Sequence, residues 1–283
     1  MLKTILELNK IRIIIAVVFS YLLGYVLADS NLGWKAAIST FGLLLIAGAS
    51  AVLNQIQESE FDKLMPRTSK RPIPSGKLSL KSAYFIFFTE LAVGSVLLYI
   101  YGGLLALIIG WITLFWYNGI YTKLKRKTPW AVIPGAVIGA LPPVIGWVAA
   151  GGYVFDLKII LIAFFFFMWQ IPHFWLLTLL FNDDYKKAGF PTILDLYPVN
   201  MVRKLTFLYA FATAISAMFL SLFSVVHGKV ENALIVISSI GLIIVFYSLY
   251  RDKSKETKAR KYFAYINVYL LLIMSFFFFN KLL

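Results

Sequence analysis

Apolar residues in this chain come in runs close to twenty residues long, over about 11–28, 35–57, 82–101, 103–120, 130–150, 157–181, 204–226, 231–250 and 262–280. Each run is near the ~20 residues an α-helix needs to cross the ~30 Å hydrocarbon core of a bilayer. With 60% of its 283 residues hydrophobic, the chain carries more apolar surface than a soluble core of that size can hide. Backbone groups in lipid must pair within their own segment, which leaves helices as the solution here. The expected fold class is therefore all-α: a polytopic membrane protein of nine transmembrane helices, organised as one domain over residues 1–283. The count turns on Gly102 and Gly103, where the third and fourth runs almost touch and a merged segment would change the parity.

The cations test that count. With the N-terminus inside, Lys35, Lys158, Lys229 and Lys281 are the only four of 27 lysines and arginines left outside. The rest fall at the N-terminus (Lys3, Lys10, Arg12), in the loops after the second, fourth and sixth spans, and between Arg251 and Lys261. Such a bias is what the positive-inside rule predicts. It also accounts for the net charge of +14 through topology and the lipid bilayer, and gives no argument for nucleic acid. The absence of cysteine excludes thiolate chemistry and Cys-ligated metals. No small-residue cleavage site or Arg-rich presequence marks the first run, so neither signal nor transit peptide is expected, and a bacterial inner (plasma) membrane fits best.

Chemistry concentrates in the long inside loops, which places the expected site on the cytoplasmic face. If the second helix continues past the membrane, Asn54, Glu58 and Asp62 fall at i, i+4 and i+8 on one face. Oxygen donors in that pattern suit a hard cation such as Mg²⁺, which is commonly held by one or two carboxylates and substrate phosphates. Arg67, Lys70 and Arg71 follow in a loop stiffened by Pro66, Pro72 and Pro74, and can take the remaining phosphate charge. The alternative is an exposed amphipathic helix end with a loop for lipid headgroups; on either reading Asp62, near a helix end, is expected to add little to folding. A second acidic element, Asp183 and Asp184, follows the sixth span and can complete a two-metal diphosphate site or merely cap a helix.

Three further features stand out. Tyr121, Lys125 and Arg126 close the fourth span, where interfacial anchoring is the competing explanation. Gly135, Gly139 and Gly146 with Pro142 and Pro143 give the fifth span small residues and an expected central break, for close packing first and a pocket wall second. His173 sits inside the sixth span beside Pro172, Phe174 and Trp175, as a packing histidine or a ligand; along an unbroken helix it would lie ~15 Å deeper than Asp183. The aromatic runs Phe164–Phe167 and Phe276–Phe279 suit helix packing or a prenyl tunnel.

In this order, the Asn54–Asp62 element, the Arg67–Gly76 loop, Tyr121–Gly146, Pro172–Trp175 and Asp183–Pro191 together resemble the UbiA superfamily of intramembrane prenyltransferases, and within it the haem O synthase branch. The resemblance implies a helical bundle with a central cavity open to the cytoplasm. It implies catalytic Asn54, Glu58, Asp62, Asp183 and Asp184, with Glu58, Asp62, Asp183 and Asp184 as Mg²⁺ ligands. Farnesyl diphosphate would be bound through Arg67, Lys70, Arg71, Tyr121, Lys125 and Arg126, and haem B through His173. The implied reaction moves farnesyl to a haem vinyl group, giving haem O for a downstream haem-modifying enzyme or terminal oxidase assembly. Related superfamily members act on an aromatic acid or quinone precursor, and an ion-coupled transporter is the rival from another class; no internal repeat supports the latter. Gln55 and Glu58 stand where the wider superfamily usually has aspartates, so Gln55 is not an ionic ligand; Tyr185 and Lys187 likewise replace a further aspartate in the second element.

Overall fold

A computed structural model describes residues 2–29, 31–225, 228–252 and 258–282; Lys253 and Lys255, and the side chains of Phe279 and Lys281, lie outside what it describes. Among the described residues the structure is helical throughout, with no strand. In order it has α1 (Leu2–Leu8), α2 (Ile11–Ala28), α3 (Trp34–Leu64), α4 (Leu80–Phe115), α5 (Thr122–Leu124), α6 (Val132–Ala149), α7 (Leu157–Lys187), α8 (Ile193–Leu196), α9 (Val199–Leu222), α10 (Lys229–Arg251) and α11 (Ala259–Leu282). A π-helical turn, Trp116–Tyr121, joins α4 to α5. Contacts group these into two compact units: residues 1–127, 141–153 and 183–190, and residues 128–140, 154–182 and 191–283.

In the first unit, α4 settles the span count. Its 36 residues would extend ~54 Å as one helix, well beyond a bilayer core, yet it is broken at Gly103 (φ 86°, ψ 168°). Trp111 Nε1 donates to Ser95 Oγ at 2.9 Å although sixteen residues separate them, so the chain folds back at the glycine and crosses twice. Nine spans result. Gly42 of α3 and Gly94 of α4 face each other so closely that a methyl on either would meet the other helix's backbone. Gly24 and Gly146 do the same for α2 and the end of α6, where the sequence pattern points to close packing. The expected break in that fifth span is absent: α6 is continuous through Pro142 and Pro143.

The 31 residues of α3 run ~46 Å, and even a 40° tilt would leave ~35 Å along the membrane normal. The helix is therefore longer than the hydrocarbon core is thick, and its last two turns carry Glu58 and Asp62.

The second unit is built around α7, α9, α10 and α11. Ala136, Ile171, Trp175, Ile193 and Val202 form its buried cluster. Tyr269 and Tyr262 of α11 each bond a serine of α10, Ser239 and Ser248, at 2.8 Å. Phe165 and Phe166 are buried, with Phe165 edge-on to Tyr269, so these two serve packing. Helix α7 is non-helical at Phe181 (φ −126°, ψ 24°), so the unbroken helix expected between His173 and Asp183 is not found.

Candidate metal and diphosphate site

The face predicted for α3 exists, and it is buried. Asn54, Glu58 and Asp62 are 0%, 5% and 1% exposed, which corrects the expectation that Asp62 sits at an exposed helix end. Burial is tolerable because each carboxylate has a cation. Arg71 Nη1 donates to both Asp62 oxygens, at 2.9 and 2.7 Å, and Lys125 Nζ lies 2.7 and 2.9 Å from the two Glu58 oxygens. A buried charge left without a partner is costly.

Each cation is delivered by local geometry. The loop after α3 turns on itself through Thr68, whose hydroxyl donates to the Asp62 carbonyl at 2.9 Å and whose amide bonds Met65; Arg71 N–H then bonds Thr68. Arg71 is thereby folded back over the helix it follows. Lys125 is delivered from α5 by the π-helical turn, a distortion that hydropathy cannot show. The turn is locked onto α3 by Asn118, which accepts from Ser50 Oγ at 2.7 Å and donates to the Ser50 carbonyl at 3.0 Å, while Gln57 donates to the Asn118 carbonyl. Thr122, at its end, donates to the Tyr117 carbonyl at 2.9 Å and accepts from Asn54 Nδ2 at 3.1 Å. That orients the Asn54 amide, so its Oδ1 faces Lys10, whose ammonium donates to it.

The other predicted binders differ. Tyr121 stacks on Tyr117 with ring centroids 5.8 Å apart, and lies under the Lys125 ammonium. Arg126 faces away from the carboxylates: its Nη2 donates to the Gln57 carbonyl at 2.7 Å and its guanidinium covers Phe61. Arg67 and Lys70 are exposed on the loop, with Arg67 close enough to Tyr185 to act on its hydroxyl.

The second acidic element belongs to the same unit, and its approach was not readable from the carboxylates. Helix α7 ends in a Schellman motif: Gly189 (φ 72°) takes the left-handed position, Phe190 N–H reaches the Tyr185 carbonyl and Gly189 N–H that of Lys186. The accompanying apolar contact is Tyr185 against Phe190. Phe190 also packs on Phe61 at 5.4 Å and joins Met65 and Ala188 in a small buried cluster. This clamp holds the segment bearing Asp183, which is exposed, and Asp184, which is half-buried, against the end of α3. Among the described residues no three of His, Cys, Asp and Glu converge into a self-sufficient metal cluster. Glu58 with Asp62, and Asp183 with Asp184, offer hard oxygen donors of the kind Mg²⁺ takes beside phosphate oxygens and water.

Gln55, the departure from the superfamily pattern, is 0% exposed and points elsewhere. Its Nε2 donates to the carbonyls of Glu7 and Leu8, at 3.1 and 2.8 Å, capping α1.

His173 lies in the second unit. Its ring sits between Trp169 and Phe263, both at 4.8 Å, and its Nδ1 is 3.1 Å from Asn267 Oδ1. Asn267 Nδ2 donates to the Phe263 carbonyl, which turns Oδ1 toward the imidazole. The proton is thereby assigned to Nδ1, leaving Nε2 with its lone pair.

Comparison with known proteins gives the family and the fold. The model of the UbiA prenyltransferase family matches residues 17–276. A protoheme IX farnesyltransferase of Christiangramia forsetii is 34% identical over 274 residues, 94% of this chain and 89% of its own. One from Bradyrhizobium diazoefficiens is 33% identical over 283 residues, 95% and 87% of the two chains. Among solved structures, a digeranylgeranylglyceryl phosphate synthase aligns with a TM-score of 0.81 at 21% identity, covering 99% of this chain and 98% of that one. A UbiA homologue from Archaeoglobus fulgidus bound to GPP and Mg²⁺ aligns at 0.72 and 14%, covering 99% of each. At those identities the two structures speak for the fold alone. The chain, a multi-pass membrane protein, belongs to the UbiA prenyltransferase family.

Proposed function

We propose that this chain transfers farnesyl from farnesyl diphosphate to a vinyl group of haem B, giving haem O, as one catalytic domain over residues 1–283. The observation that carries the reading is the buried face of α3, where Glu58 and Asp62 each hold a cation beside a second acidic segment. The acceptor rests on the relatives, named protoheme IX farnesyltransferase, and is supported by an imidazole with an orientated lone pair at His173.

Glu58, Asp62, Asp183 and Asp184 are the residues that would hold Mg²⁺, which when bound neutralises charge on the leaving diphosphate. Arg71 offers five N–H donors and Lys125 three, so each can keep its carboxylate and still donate to phosphate oxygens. Arg67 and Lys70 extend the positive field outward toward an arriving anion. Tyr121 supplies a hydroxyl-bearing ring beside Lys125, and Arg126 fixes the backbone that carries Glu58. Departure of the diphosphate breaks the bond between its oxygen and the allylic carbon, and charge growing on that oxygen meets donors already in place. The terminal vinyl carbon bonds to the allylic carbon; water adds at the vinyl carbon next to the ring and loses a proton to solvent. His173 Nε2 would hold the haem iron.

We place the chain in a bacterial plasma membrane, N-terminus and site cytoplasmic, delivering its product to a haem-modifying enzyme or an oxidase under assembly. The test is expression in cells that make haem B alone, followed by pigment extraction and mass analysis. A haem heavier by one farnesyl group and one hydroxyl group is expected, lost in Glu58→Gln. Prenylated quinone precursors with unmodified haem B would overturn the acceptor.

A further inference from the structure

Lys10 was counted above as one more inside cation, yet its backbone and surroundings set it apart. It occupies the left-handed region (φ 51°, ψ 47°) between α1 and α2, a conformation that few residues other than glycine adopt. Two side-chain clamps and one apolar anchor hold that turn. Gln55 caps the end of α1 through the carbonyls of Glu7 and Leu8. Asn9 Nδ2 donates to Glu90 Oε1 of α4 at 2.8 Å. Leu8, 0% exposed, is sunk in the cluster of Ala49, Val52, Ile56 and Phe87.

The result is an ammonium aimed at the acidic face of α3. Lys10 Nζ donates to Asn54 Oδ1, and Arg71, Lys125, Glu58 and Asp62 are the charges that act on it. Loss of hydration, with Arg71 and Lys125 nearby, pushes its pKa down to about 7, against the pull of Glu58 and Asp62. Two carboxylates are already matched by Arg71 and Lys125, so no carboxylate is left over to pair with a third cation in the same place. A multiply charged anion would balance it, and an ammonium has three donors, of which the Asn54 bond uses one.

We propose that Lys10 is a third cation of the diphosphate site, positioned by the Gln55 clamp on the α1–α2 turn. This deepens the diphosphate reading above and rests on it. Gln55 then replaces a superfamily aspartate with a side chain that holds a diphosphate-binding lysine.

The test uses the purified full chain in nanodiscs, with inorganic pyrophosphate and Mg²⁺ as the probe and calorimetry as the readout. Lys10→Gln should weaken pyrophosphate binding roughly ten- to a hundredfold, the range for one charge-assisted hydrogen bond, and Lys10→Arg should recover part of the loss. Gln55→Ala should give a smaller loss of the same kind. Arg71→Gln is the control for the site itself. Parent-like binding in Lys10→Gln beside weakened binding in Arg71→Gln overturns the role of Lys10 and leaves the site standing. Parent-like binding in both overturns the diphosphate reading too. Should Lys10→Gln fail to fold, reductive methylation of the parent decides: protection of Lys10 by pyrophosphate, seen by mass spectrometry, is expected, and equal modification with and without it refutes the proposal.

Discussion

Under the proposed function, Asp62 is a carboxylate that belongs to both folding and chemistry. It is 1% exposed, takes two hydrogen bonds from Arg71, and its backbone carbonyl anchors Thr68 and with it the cationic loop. Asp62→Asn should therefore abolish prenyl transfer and also destabilise the chain by about 1–3 kcal/mol, since a half-buried guanidinium loses its counter-charge. Thermal unfolding beside turnover checks both, and an unchanged melting temperature would refute the structural half. Asn267 is the second case. If its amide fixes the His173 proton on Nδ1, Asn267→Leu should weaken haem binding about ten- to a hundredfold without touching pyrophosphate, as loss of a histidine's outer partner commonly does. A Soret titration reads this, and an unchanged titration would leave His173 to packing with Trp169 and Phe263. The i, i+4, i+8 spacing made Asn54, Glu58 and Asp62 legible because helical periodicity survives in sequence. Lys10, Thr122, Asn267 and Phe190 were hidden because each acts across tens of residues, and Lys10 was further masked by a topology rule that already explained its charge.

At the level of elements, apolar run length located each span found among the described residues, and the doubtful pair proved to be two. What hydropathy could not show was the turn geometry: the π-helical Trp116–Tyr121, the Schellman end of α7 and the continuity of α6 through two prolines, since run length carries no backbone dihedral. Gly103 is the clearest test. Its φ of 86° and ψ of 168° lie in a region essentially reserved for glycine, while an added Cβ would meet nothing within 4 Å. Gly103→Ala should thus carry a pure backbone penalty of about 1–3 kcal/mol, seen as a lower melting temperature with binding of pyrophosphate intact. A parent-like melting curve would mean that the hairpin does not need this glycine.

For the whole molecule, the proposed orientation can be read against a silent background, because the chain has no cysteine. In spheroplasts a membrane-impermeant maleimide should label Asn31→Cys at once and Lys77→Cys only after permeabilisation, since both positions are exposed and lie on opposite sides in the proposed topology. The reverse pattern would turn the site to the other face. The overhang of α3 carries a kinetic meaning of its own. In the proposed topology the acidic turns lie at the cytoplasmic end of a helix longer than the core, so a substrate with a charged head and an isoprenoid tail can react while the tail stays dissolved among acyl chains. The quantity that sets the rate is then crowding within a two-dimensional sheet. Diluting vesicles with inert phospholipid, at fixed amounts of enzyme and farnesyl diphosphate per volume, should slow the reaction in proportion to the area added.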